Sequence, residues 1–132
     1  MSFDWAEYLD VAKSLFGQSA TTPSREAALR AAISRAYYAA FCSARNHLRD
    51  RDNVQDIPLD GRAHFDVPDR FQQSDAVERK RVGTDLHRLR LARRDADYYD
   101  ELPAGTDIQK KVREVIARAE NLITALGKLP PP

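Results

Sequence analysis

The chain has 132 residues, with 21 lysines and arginines against 20 aspartates and glutamates for a net charge of +1. That length makes one domain, residues 1–132, able to bury roughly two-thirds of its unfolded surface, and charge so nearly balanced gives no overall basic field to attract nucleic acid. The single cysteine, Cys42, leaves no disulfide framework or cysteine-based zinc cluster, while Met1 precedes charged and aromatic residues rather than a leader, and no apolar run nears the ~20 residues of a membrane span; a cytoplasmic protein without membrane contact is expected.

Residues 3–16 read as a first helix, with Trp5, Tyr8, Leu9, Ala12, Leu15 and Phe16 on one core-facing side and Gly17 placed as its left-handed closing residue. Thr22 and Pro23 read as the cap and first position of the second helix. Its centre is residues 27–49, AALRAAISRAYYAAFCSARNHLR, the rod around which the other segments are arranged. Leu29, Ile33, Ala36, Ala40, Ala44 and Leu48 make a stripe of mostly small residues that lets a partner helix approach closely. The opposite face carries Arg35, Tyr38, Cys42, Arg45 and Arg49. Cys42 is explained as a small residue in a packed helix rather than as a nucleophile.

Residues 50–74 are the least regular part, punctuated by Pro58, Gly61 and Pro68, with a short helix expected from residue 66 or 67 to 72. Another helix starts at Ser74 or Asp75 and turns Val82, Leu86, Leu89 and Ala96 inward, with Gly83 a weak point costing up to ~1 kcal/mol relative to alanine. At 100° per residue, Arg93 and Asp97 project onto that same face. A guanidinium aimed inward is expensive unless paired, and Asp97 stands one turn away with the right sign. Arg93 is therefore the arginine whose truncation is expected to destabilise, and Arg79 the solvated comparison. Pro103 to Gly105 end this helix, Thr106 or Asp107 caps the last one, and Ile108, Val112, Val115, Ile116, Ala119, Leu122, Ile123 and Leu126 form its apolar stripe. The fold class that follows is all-α: an up-and-down helical bundle of four principal helices plus a short one.

No two histidines among His47, His64 and His87 share a ligand spacing, and the glycines never cluster into a phosphate loop, so neither metal nor cofactor is expected. Local charge is more informative. Arg79, Lys80, Arg81, Arg88, Arg90, Arg93 and Arg94 crowd one helix, and His87, Leu91, Arg94 and Tyr98 share a face of it. Such a strip can grip phosphates and stack bases; it can equally be a solvated face whose arginine stems cover apolar surface.

The segment SRAYYAAF, residues 34–41, resembles the second-helix signature of prokaryotic HEPN-domain proteins. RRDADY, residues 93–98, resembles the R-x-x-A-D-Y ending of a branch of that family. The resemblance covers nearly the whole chain and implies a small up-and-down bundle, commonly a homodimer. Many members are metal-independent ribonucleases of toxin–antitoxin, CRISPR-linked and phage-defence systems; others are encoded beside minimal nucleotidyltransferases. Active members pair an arginine with a histidine four to six residues on. Arg93 takes the arginine position with Arg94 beside it, but Asp97, Tyr98 and Tyr99 follow at that spacing. Arg81 and His87 match the bare spacing about three turns too early. Tyrosine, with a pKa of about 10, is a poor base at neutral pH, where histidine titrates.

The resemblance thus implies a HEPN-like homodimer that binds RNA or a nucleotide without the usual catalytic histidine. Its site would be Arg93 and Asp97 at the dimer seam, Arg35 and Tyr38 beside them, and Arg94 and Tyr98 at the rim. Two alternatives stand: an active ribonuclease toxin using His87 or His47, and a protein-interaction module without a nucleic-acid role.

Overall fold

In the computed structural model, which describes residues 2–132, the chain is all-α and its five helices pack into an up-and-down bundle. They are α1 (Glu7–Gln18), α2 (Arg25–Asp50), α3 (Ala63–Gln72), α4 (Val77–Tyr98) and α5 (Ile108–Leu126). The longest, α2, touches all four others. Its small-residue stripe makes this possible: Ala32, Ala36, Ala39, Ala40 and Ala44 are fully buried and leave room for neighbouring helices to close in. Leu29, Ile33, Tyr37 and Leu48 fill the remaining space, joined by Leu86 and Leu89 of α4 and Val112, Val115 and Leu122 of α5. Among the described residues no helix is long and apolar enough to cross a membrane.

Helix ends depart from the sequence reading. Helix α1 begins at Glu7, after a turn that Asp4 closes by accepting from the Ala6 N–H, and it runs through Gly17 in helical conformation. Helix α2 begins at Arg25 with Ser24 at its N-cap, so Thr22 and Pro23 stay in the connector. Helix α4 starts at Val77. The expected Asp107 cap is present, its carboxylate accepting from the Lys110 N–H at 3.2 Å. At the other end of α4, Arg30 of α2 reaches across and donates to the carbonyls of Ala96, Tyr99 and Asp100. A cation there meets both orphan carbonyls and the negative end of the helix dipole.

The segment read as least regular carries the expected short helix, α3, which ends at Gln72 as expected but starts earlier, at Ala63, and so takes Pro68 inside it. Pro68 removes one backbone donor but is buried against α4, where Gly83 lets the two helices meet. A Cβ built at Gly83 would lie 2.7 Å from the Pro68 carbonyl oxygen and 2.5 Å from Gln72 Cγ. The glycine read as a weak point of α4 is thus the seat of the α3–α4 contact. Val67 and Phe71 anchor α3 in the core, and Arg70 ties it to Asp66 and to Asp56 in the preceding loop.

Arg79 corrects a second expectation. It is 2% exposed rather than solvated, pairing with Asp52 while its Nη1 donates to the Pro130 carbonyl at 3.1 Å. Its guanidinium also lies over the Phe71 ring. The α2–α3 loop, α4 and the C-terminal tail are pinned together at this point.

Candidate nucleic-acid interface

Arg93 is 8% exposed and turned into the bundle, as the helical period of α4 requires. Its Nη1 lies 3.8 Å from Asp97 Oδ2 and donates to the Tyr98 hydroxyl at 3.4 Å. Three tyrosine rings surround the cation, with centroids at 5.2 Å for Tyr37, 5.6 Å for Tyr38 and 5.5 Å for Tyr98. Such faces attract a guanidinium by about 0.5–2 kcal/mol each, more as water is excluded. Asp97 is held in turn by the Ser34 hydroxyl, which donates to Oδ2 at 3.1 Å. The SRAYYAAF and RRDADY segments therefore meet in space.

Behind this cage stands His64 of α3, which the sequence reading passed over. Its Nδ1 is 2.5 Å from the Tyr37 hydroxyl, and its ring stacks on Phe41 at 4.6 Å. Burial, then the charges of Arg93 and Arg90, hold His64 below the usual imidazole range. Burial pushes the Tyr37 phenol up, with Arg93 opposing. At neutral pH the phenol keeps its proton and the imidazole is neutral, so the pair has two forms: Tyr37 donates to Nδ1 with the ring proton on Nε2, or Nδ1–H donates to the phenol oxygen and leaves Nε2 free.

His64 and Tyr38 also belong to the wall of a groove of about 1150 Å³ between α1, α2 and residues 53–64. The α2 face running through Arg35, Tyr38, Cys42, Arg45 and Arg49 forms its floor. Arg35 is stacked against Tyr8 at 4.9 Å and Tyr38 at 5.3 Å, and Arg45 against Trp5 at 5.5 Å. Trp5 and Tyr8, read as core, are half-buried and line the opposite side. Cys42 is 3% exposed, as a small residue in a packed helix should be. Burial pushes its thiol up, with Arg45 opposing, which disfavours the thiolate.

The structure thus brings Arg35, Tyr38, Arg93, Asp97 and Tyr98 into one connected cluster. Arg94 lies apart, exposed, paired with Asp95 at 3.0 Å and stacked on Tyr99. His87 faces Asp69 at 3.2 Å, and His47 sits beside Asp52 at 3.7 Å; neither lines the groove. Among the described residues no group of three His, Cys, Asp or Glu side chains could hold a metal ion. No protein-family model, curated protein or solved structure matches this chain.

Proposed function

We propose that this chain is a HEPN-like helical protein that binds RNA or a nucleotide as a homodimer, without efficient cleavage. Its setting would be a toxin–antitoxin or defence system, with a minimal nucleotidyltransferase or another antitoxin as partner. The observation that carries the proposal is the convergence of residues 34–41 and 93–98, which share no local sequence. Arg93 is buried yet only loosely neutralised, with Asp97 at 3.8 Å and no partner for its Nε. Tyr98, 70% exposed, extends the cluster to the surface, and Arg35 and Tyr38 extend it into the groove. A cation kept short of full pairing beside exposed rings suits a phosphate and an unstacked base.

Filter binding of total RNA tests this. Retention at 50 mM salt, with log affinity falling steeply against log salt, is the expected result. No retention at low salt would overturn it and leave a helical interaction module. Sedimentation should give a dimer.

A metal-independent endoribonuclease is the second reading, and the placement of His64 favours it over the versions built on His87 or His47. In the form where Nδ1–H donates to the Tyr37 oxygen, the free Nε2 of His64 would take the 2′-hydroxyl proton while the Arg93 guanidinium meets the charge developing on phosphorus. RNA cleavage in EDTA that is lost in His64→Ala and kept in His87→Ala would establish this reading. Intact RNA keeps the first.

A further inference from the structure

Three of the five arginines of α2 share one face. Positions 35, 38, 42, 45 and 49 are separated by three, four, three and four residues, which places Arg35, Arg45 and Arg49 on one narrow face with Tyr38 between them. All of these residues line the groove. At 1.5 Å per residue the three cations span roughly 21 Å along the helix. That is the length of about six stacked nucleotides at 3.4 Å each, and of fewer when bases leave the stack.

Two of the three cations, Arg35 and Arg45, are held but not neutralised by rings. Among the described residues Arg35 has no carboxylate within ion-pair distance, and its two close partners are the rings of Tyr8 and Tyr38. Arg45 has the Trp5 ring and an amide, its Nε donating to Asn46 Oδ1 at 3.2 Å. Arg49 pairs with its exposed neighbour Asp50 at 2.7 Å, a contact that a phosphate can replace. Asp60 is the one carboxylate in the groove wall, and Arg62 already holds it at 2.9 Å. The walls offer Trp5 and Tyr8 on one side and the His64 edge on the other. Cations at intervals, rings between them and no free carboxylate make a surface for a chain of phosphates with unpaired bases. A protein segment of acidic residues would leave those rings without planar partners, and a duplex would hide its bases from them.

We infer that this groove is a binding track for single-stranded nucleic acid, about three to six nucleotides long, lying along α2. Phosphates sit at Arg35 and at the Arg45–Arg49 pair, and bases stack on Tyr38 and Trp5 with the His64 edge beside them. The inference rests on the proposed RNA or nucleotide binding and gives it a ligand class and a place. It moves the main contacts from the α4 arginine run to α2.

Fluorescence anisotropy with labelled oligonucleotides of one, three, six and twelve residues, and with a twelve-pair duplex, tests it. Affinity should rise steeply up to about six residues, and the duplex should bind at least tenfold more weakly. Trp5 is the only tryptophan, so single strands should quench the intrinsic fluorescence. Arg45→Gln and Arg35→Gln, with folding checked by circular dichroism, should each lose about tenfold and lower the salt slope by about one. Arg81→Gln on the exposed face of α4 should change little. RNA that binds the Arg35 and Arg45 variants as well as the unaltered chain would overturn the track while sparing the proposed function. Equal affinity for the duplex, or a mononucleotide binding as tightly as the hexamer, would overturn it too. Absence of any binding at 50 mM salt removes both.

Discussion

Truncating Arg79 exposes how this bundle handles inward charge. Asp52 has 6% of its side chain open to water, and Arg79 is its principal counter-charge. The remaining neighbour, His47, is 3.7 Å away, and burial holds it below the ordinary imidazole range, so it is neutral at pH 7. Arg79→Ala therefore strands a carboxylate, which costs about 3–5 kcal/mol, and also frees the Pro130 carbonyl. Arg93→Ala is milder. Asp97 keeps the Ser34 hydroxyl and has 28% of its side chain exposed, so it rehydrates. What is lost is the attraction of three rings that share one cation, roughly 1.5–3 kcal/mol in all. For a domain of this size Tm should fall by roughly 10 °C or more in the first variant and by about half as much in the second. Urea unfolding followed by circular dichroism, with unchanged m, measures both. Adding Asp52→Ala to Arg79→Ala should recover part of the loss. An Arg93→Ala cost equal to or above that of Arg79→Ala would refute the ranking.

Gly83→Ala should destabilise by about 1–3 kcal/mol in the same assay, because its methyl meets the backbone of Pro68 and Gln72 as well as the Gln72 Cγ, and the backbone atoms cannot swing aside. Stability should fall with acid. His47 and His64 both have folded pKa values below 6.5, so the unfolded chain takes up their protons first; their contribution is full above pH 6.5 and is lost as pH drops towards the folded values. A Tm profile between pH 8 and 5 checks this, and His64→Gln should flatten it. Arg30→Ala should fray the end of α4, raising amide exchange at residues 96–100 and costing about 1–2 kcal/mol.

Much of this architecture is legible in the spacing of apolar residues, because each long helix has a face that its neighbours bury. The α5 stripe from Val112 to Leu126 and the α2 alanines are read directly from period. Arg93 is legible for the same reason, sitting four residues beyond Leu89 on the buried face. So is Arg79, in principle: positions 79, 82, 86, 89, 93 and 96 form one unbroken three-and-four series, and all six are buried. Counting charge along α4 rather than placing each residue on its face hides that. Helix α3 is legible only in its second half; its first turn, from Ala63, and its seat on α4 are not. Pro68 and Gly83 each read locally as breakers, and only their contact across two helices shows why both are accommodated. His64 enters the site on α3, so it stays out of reach until that packing is known. The groove combines both cases, since its α2 floor follows from spacing while its wall comes from loop residues without a period.

The central claim is that single-stranded nucleic acid contacts the α2 face and its surrounding rings. The most direct measurement is a nitrogen-15 NMR titration with a single-stranded hexanucleotide, following arginine Nε–H, the Trp5 indole N–H and the His64 ring. Shifts concentrated at Trp5, Arg35, Arg45 and His64 are predicted. Shifts confined to the outer face of α4, at Arg81 and Arg88, or no shifts at all, would contradict the claim.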